Sequence, residues 1–231
     1  MKRFYTTVSV QNEAGGYRVC LDGRGIRTQG GQPQIVPGEA LAQAMAAEWA
    51  DQGDEIDTTR FVFRDMADYA LDVVTPQFAQ TVTDLLPYGE TDTLCYRAEP
   101  DEALAAHQRL LWEPLVTMAE ARLGVEFVRV CGIIHKPQSP ATMAALRGEL
   151  EALSPFALAA LHNTASLSAS LIVGLAALDP QADLVALWDA ASAEEDWQAS
   201  LWGKDEEALA RRTRRGEAFA QAARFAHLAG C

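Results

Sequence analysis

Asp22-Gly23 stands between two short runs rich in β-branched and aromatic residues, YRVCL and RGIRT. A two-residue Asp-Gly loop commits such runs to an antiparallel hairpin, because both loop residues must take positive φ. With FYTTVSV ahead of it, the loop predicts an antiparallel meander over the first 37 residues. GGQPQIVPG adds turn chemistry, and a helix is then expected from Gly38 or Glu39 to about Gln52, ended by Gly53. Residues 54–72 read as a further strand or two and the start of a helix. From Pro76 the period changes. Segments around 76–86, 101–123, 139–152, 155–178, 181–202 and 205–229 are rich in Ala, Leu, Glu and Arg and are punctuated by Pro or Gly, with one β-like interruption at VEFVRVCGII. The expected fold class is α+β. A β-rich antiparallel N-terminal domain (1–80, with one helix near 39–52) precedes an all-helical C-terminal domain (81–231).

A chain of 231 residues can bury an ordinary core without disulfides or metals. Cys20, Cys95, Cys131 and Cys231 are too widely spaced for a CxxC motif, so a reducing compartment is the simpler expectation. No apolar run approaches the roughly 18 residues of a membrane span, and MKRFYTTVSV turns polar where a signal peptide would open its apolar core. The net charge is −13 and is concentrated: Glu39 to Glu102 holds fifteen Asp or Glu against three Arg. Such a field repels nucleic acid and anionic lipid and steers basic partners inward, although a solvated acidic face that keeps the chain soluble explains it equally well.

Motifs for chemistry are sparse. GRGIRT lacks the third glycine of a phosphate loop and leads into a strand-like segment, and no GxxxxGK[ST] occurs. His107, His135, His162 and His227 stand singly, without a pair at metal-ligand spacing. Ser166, Ser168 and Ser170 lack the GxSxG elbow and lie in an Ala/Leu helix, where small residues favour close packing. No cofactor or metal is expected.

Two helices instead share a surface chemistry. If residues 183–202 form one helix, Trp188, Ala191, Glu195, Gln198 and Trp202 fall within about 40° of Leu184, while Trp197 lies about 220° away. A carboxylate set in that stripe must be paired inside the fold, or must emerge into a groove that a partner fills. On this reading Trp202 is at least partly buried, and Trp197 faces a second helix or an exposed patch. In the earlier helix, Met45, Glu48 and Gln52 lie within about 40° of Leu41 with Trp49 at the margin. Apolar surfaces edged by carboxylates and amides suit protein recognition; core helices with polar shoulders are the competing explanation.

RFYTTVSV, YRVCLDGRGIRT, LAQAMAAEWADQ, TDTLCYRAEP, HQRLLWEPL and EEDWQASLWGKDEEA, in this order, resemble the assembly chaperones of the ATP synthase F1 α subunit, the twelve-type mitochondrial assembly factor and its bacterial relatives. The resemblance runs from Arg3 to the final helix. It implies a two-domain chaperone, not an enzyme, that binds the unassembled α subunit of F1-ATPase and shields it until the β subunit replaces it. It places importance on an acidic residue of EEDWQ, carried onto Glu195 with Glu194 as its close competitor, and it matches Trp49, Trp202 and Asp205. With Trp197 and Glu48 from the helix faces, these are the expected partner-binding residues. The chain departs from the family at Thr28-Gln29, where relatives often have Thr-Pro, and at FVFRDM, which puts in doubt a binding role for residues 24–66. No Arg-rich presequence is visible, which fits a bacterial cytoplasmic protein, monomeric when free, whose relatives work in the mitochondrial matrix. Two alternatives stay open. One is a general holdase for exposed hydrophobic segments, and the other a hydrolase or transferase assembled from scattered residues such as His107, His135 and Asp92.

Overall fold

In the computed structural model, which describes residues 1–132, 134–203 and 205–230, the first elements are β1 (Val8–Glu13), β2 (Gly16–Leu21), β3 (Arg24–Gly25) and β4 (Ile35–Val36). β2 is the centre of this sheet. β1 pairs antiparallel along its whole length, Val8 opposite Leu21 and Glu13 opposite Gly16, while β3 and β4 pair antiparallel with opposite ends of β2. Asp22 (φ 48°) and Gly23 (φ 77°) both take positive φ, the conformation the hairpin loop requires. The Asp22 carboxylate also accepts from the backbone of Thr6 and Thr7, which fixes the start of β1.

Helix α1 (Glu39–Ala50) follows, burying Leu41, Ala42, Met45, Ala46 and Trp49 at helical spacing. Residues 54–72 depart from the expected strands. Beyond one isolated bridge between Lys2 and Glu55, they form a 3-10 turn at Thr58–Arg60 and α2 (Val62–Tyr69), which continues as a π-helical turn through Val74. Ile56, Thr58, Thr59 and Val62 are β-branched and locally favour a strand. Two facts decide otherwise: the Asp57 side chain captures Thr59 N at 3.0 Å, and Phe63, Ala67, Ala70 and Val74 are buried with the i, i+4, i+7, i+11 period of a helix. Asp68 and Asp72 then hold the loop between β3 and β4. Gln29 N and the Gln34 amide donate to Asp68, while Thr28 Oγ1 and Gly30 N donate to Asp72 at 2.7 Å. A proline at position 29 would lack the N–H that Asp68 receives.

The remaining elements are α3 (Phe78–Leu85), α4 (Pro87–Glu90), β5 (Tyr96–Arg97), α5 (Ala103–Leu123), β6 (Val130–Cys131), α6 (Pro140–Glu151), α7 (Pro155–Ser168), α8 (Leu171–Ala176), α9 (Leu184–Ala191), α10 (Ala193–Trp202) and α11 (Glu206–Ala229). β5 and β6 form a two-residue parallel pair in an otherwise helical region. The expected single helix over 155–178 is two, because Ala169 takes φ 50° and the Ser170 hydroxyl caps α8 by accepting from Val173 N. Ser168 is buried and donates to Thr164 O, as a packing serine does.

The chain divides into two compact units. One comprises Met1–Phe78 with residues 153–160 and the stretch from Arg224 on; the other comprises Ala79–Ala152 with Leu161–Ala223. Within the first, Phe156 and Phe225 stack at 5.8 Å, and Gly38 lies so close to Leu228 O that a Cβ would sit 2.2 Å from it. Cys20 and Cys95 are buried free thiols and Cys131 an exposed one; Cys231 lies outside the described residues. Among the described residues no helix is long and apolar enough to cross a membrane.

Candidate partner-binding surface

The tryptophan segment is not one helix. Ser192, buried at φ −95° and ψ 6°, separates α9 from α10. Serine is a weak helix-interior residue, and the three acids that follow it, Glu194, Glu195 and Asp196, suit the positive end of a new helix. A helical wheel drawn through residue 192 therefore loses register. Leu187 and Trp188 on α9 are buried, but Glu195, Gln198 and Trp202 on α10 are exposed. Trp202, expected to be partly buried, is 80% exposed beside Leu201 at 61%.

Arg215 of α11 ties this region together within the second unit. Its guanidinium lies over the Trp188 ring at 5.5 Å, donates to Leu167 O at 2.7 Å and pairs with the Glu195 carboxylate at 3.3 Å. Glu195 keeps most of its side chain in solvent. Glu194 is bound differently: its Oε1 accepts from the buried Gln108 amide at 2.7 Å, and Gln108 in turn accepts from Ala98 N. Both neighbouring acids are exposed and they differ in partner, Glu194 tying α10 to α5 and Glu195 tying it to Arg215 of α11. Arg212 bridges Asp189 at 2.8 Å and Asp196 at 2.6 Å, so two arginines of RRTRR hold the acids of α9 and α10.

Trp197 packs its indole against His107, with ring centroids 5.3 Å apart, and is half-buried. Asp205 is exposed and caps α11, its carboxylate accepting from Glu207 N and its carbonyl from Leu209 N. Glu195, Asp196, Ser200, Asp205, Leu209 and Arg212 line a cleft of about 390 Å³ between α10 and α11. The structure brings Glu195 and Asp205 to this cleft and leaves Trp202 exposed at the end of α10.

Trp49 and Glu48 belong to the other unit and serve internal contacts. Trp49 is buried, tilted against Phe61 at 4.4 Å and edge-on to Tyr5 at 5.5 Å, while Tyr5 Oη donates to its carbonyl. The Glu48 carboxylate accepts from Phe63 N at 2.6 Å and Arg64 N at 3.0 Å, capping α2 from a neighbouring helix. Burial pushes its carboxyl up, against the opposing pull of those two amides.

Asp92, His107 and His135 do not come together. Asp92 is fully buried and accepts from Leu94 N and Ile172 N; burial raises its carboxyl to about 6 against the pull of those amides. His107 lies on Trp197, and His135 meets Tyr96 Oη at 2.7 Å. Among the described residues no group of three or more His, Cys, Asp or Glu could hold a metal ion. Gln108, which organises the surface, has no signature in the sequence, and RRTRR does not by itself name the partners of Arg212 and Arg215. The spacing from Glu195 to Arg215 crosses the break between α10 and α11, and no local pattern reports such a pair.

Residues 2–120 match the family model described as ATP12 chaperone protein. The chain is 39% identical to Atp12 from Paracoccus denitrificans, whose crystal structure superposes with a TM-score of 0.94 over 99% of this chain and 98% of that one. A protein of Agrobacterium tumefaciens described as a candidate chaperone is 36% identical, with a TM-score of 0.90 over 97% of this chain and 84% of that one. Among curated proteins, mitochondrial atp12 of Schizosaccharomyces pombe is 26% identical over 225 residues, 90% of this chain and 75% of that protein.

Proposed function

Since the chain belongs to the ATP12 chaperone family, we propose that it binds the unassembled α subunit of F1-ATPase and keeps it from aggregating until the β subunit takes its place. The observation that carries this reading is Trp202, 80% exposed next to Leu201 and close in sequence to the cleft residues Glu195 and Asp205. An apolar ring held in solvent next to a second exposed apolar side chain suits a binding element, and such a tryptophan at an interface centre is worth about 2 kcal/mol or more. Glu195, Trp202 and Asp205 make the client contact. Glu194 and Trp197 fix α10 through Gln108 and His107, and Trp49 and Glu48 support the fold of their own unit. The protein is monomeric when free and acts in the bacterial cytoplasm, where the client is made.

The test is capture of isolated α subunit by the purified protein. Wild type should retain it, and Glu195→Lys and Trp202→Ala, checked for unchanged folding, should lose it. Failure of the wild type to retain α would refute the proposal. Equal protection of unrelated aggregating proteins would replace it with a general holdase.

A further inference from the structure

The second unit has another concave surface, away from the carboxylate cleft in its lining. A groove of about 490 Å³ runs between α5 and α9, with Leu146, Ile172 and Leu175 among its floor residues. Leu110 and Met118 line it from α5 about two turns apart and are 73% and 55% exposed, which is unusual for large apolar side chains on one helix. Pro114 lies between them in the same lining. Its missing N–H leaves the Leu110 carbonyl without its usual helical donor, so a polar acceptor accompanies the apolar wall.

The rim is charged on one side. Asp179 accepts from one local backbone N–H and Asp183 from two, each through a single carboxylate oxygen, and neither forms an ion pair among the described residues. Arg122, the cation of the lining, is paired with Glu149. The uncompensated rim charge is therefore negative, on a chain of net charge −13. A second copy would bring the same charge to that rim, whereas a basic segment is attracted to it. Backbone pairing is a poor alternative, since the strands of this unit are two residues long, so the groove offers side chains from helices.

We propose that this groove receives one amphipathic helix of the client, with apolar side chains at i, i+3 and i+4 seated along Leu110 and Met118 and a Lys or Arg facing Asp179 and Asp183. The inference rests on the client reading above and adds a second contact to it.

A photo-crosslinking residue in place of exposed Leu110, irradiated with isolated α subunit, should give adducts confined to one apolar helical segment that carries a basic residue. Ala186→Trp, a substitution at an exposed lining position, should weaken α binding at least tenfold at an unchanged urea midpoint. Asp179→Lys on the rim should weaken it severalfold and reduce its salt dependence; this variant decides the matter if Ala186→Trp does not fold. Binding by wild type that both variants leave intact overturns the groove alone. No binding by wild type overturns the groove and the client reading together. A dimer in sedimentation that Ala186→Trp dissociates would assign the groove to a second copy instead.

Discussion

Gly216 sits inside α11, where alanine would favour the helix by about 1 kcal/mol. The structure predicts the opposite sign. A Cβ at this position would lie 2.7 Å from Trp188 Nε1, 2.9 Å from Cδ1 and 3.3 Å from Cε2, whereas carbon atoms settle at about 3.5–4.0 Å. The indole has little room to retreat. It is 7% exposed, with Phe219 at 5.6 Å and the Arg215 guanidinium at 5.5 Å against it. Overpacking of this kind costs about 1–3 kcal/mol, so Gly216→Ala should lose about 1 kcal/mol after the gain in helix propensity is subtracted. Urea unfolding followed by tryptophan fluorescence measures this. The same substitution in a Trp188→Leu background, where the obstructing atoms are gone, should change sign and stabilise by up to about 1 kcal/mol. A stabilisation of about 1 kcal/mol in the wild-type background would refute the close-contact reasoning.

Three further outcomes follow from named contacts. Trp202→Ala should leave the urea midpoint within about 0.5 kcal/mol of wild type while weakening α-subunit binding by about 2 kcal/mol, near thirtyfold; equal loss of both would make Trp202 a folding residue. Glu48→Ala removes the acceptor for two amides at the start of α2 and should cost about 1–2 kcal/mol in urea unfolding, with no change expected if solvent caps that helix as well. For Asp92, folding raises the carboxyl from 3.8 to about 6, so between those values the folded state holds more protons than the unfolded one and stability falls as pH rises. That term reaches about 3 kcal/mol above pH 6, and Asp92→Asn should flatten the slope of stability between pH 4 and pH 6; parallel slopes in the two proteins would contradict it.

The hairpin was legible because Asp22-Gly23 is a local device whose geometry depends on two residues. The helices beyond Pro76 were legible from period and composition. What local pattern could not report were the two breaks at Ala169 and Ser192, where a hydroxyl cap or a run of acids ends one helix and starts the next inside an unbroken Ala/Leu composition. The second break governs the surface: a wheel carried through Ser192 rotates Trp202 into the core. In residues 54–72 the expected start of a helix is there as α2 but the strands are not, because β-branched residues at 56–62 favour strand locally while the helical period is clear only with Phe63, Ala67, Ala70 and Val74 buried together. Exposed Leu110 and Met118 lie eight residues apart on one helix with Pro114 midway, a spacing visible in the sequence whose meaning depends on what α9 leaves uncovered.

The loop between β3 and β4 is exposed at Gln29 and Gly30, yet both residues donate their amide protons to carboxylates of the helix that begins as α2. Surface loops ordinarily exchange such protons with solvent through fluctuations of the loop itself. Here exchange also requires the hydrogen bonds to Asp68 and Asp72 to break, and these carboxylates sit on a helix whose other face is buried. The amides of Gln29 and Gly30 are therefore a hydrogen-exchange readout of how tightly that helix holds the loop, one that a Thr-Pro sequence, lacking the first of the two protons, would give from only one position.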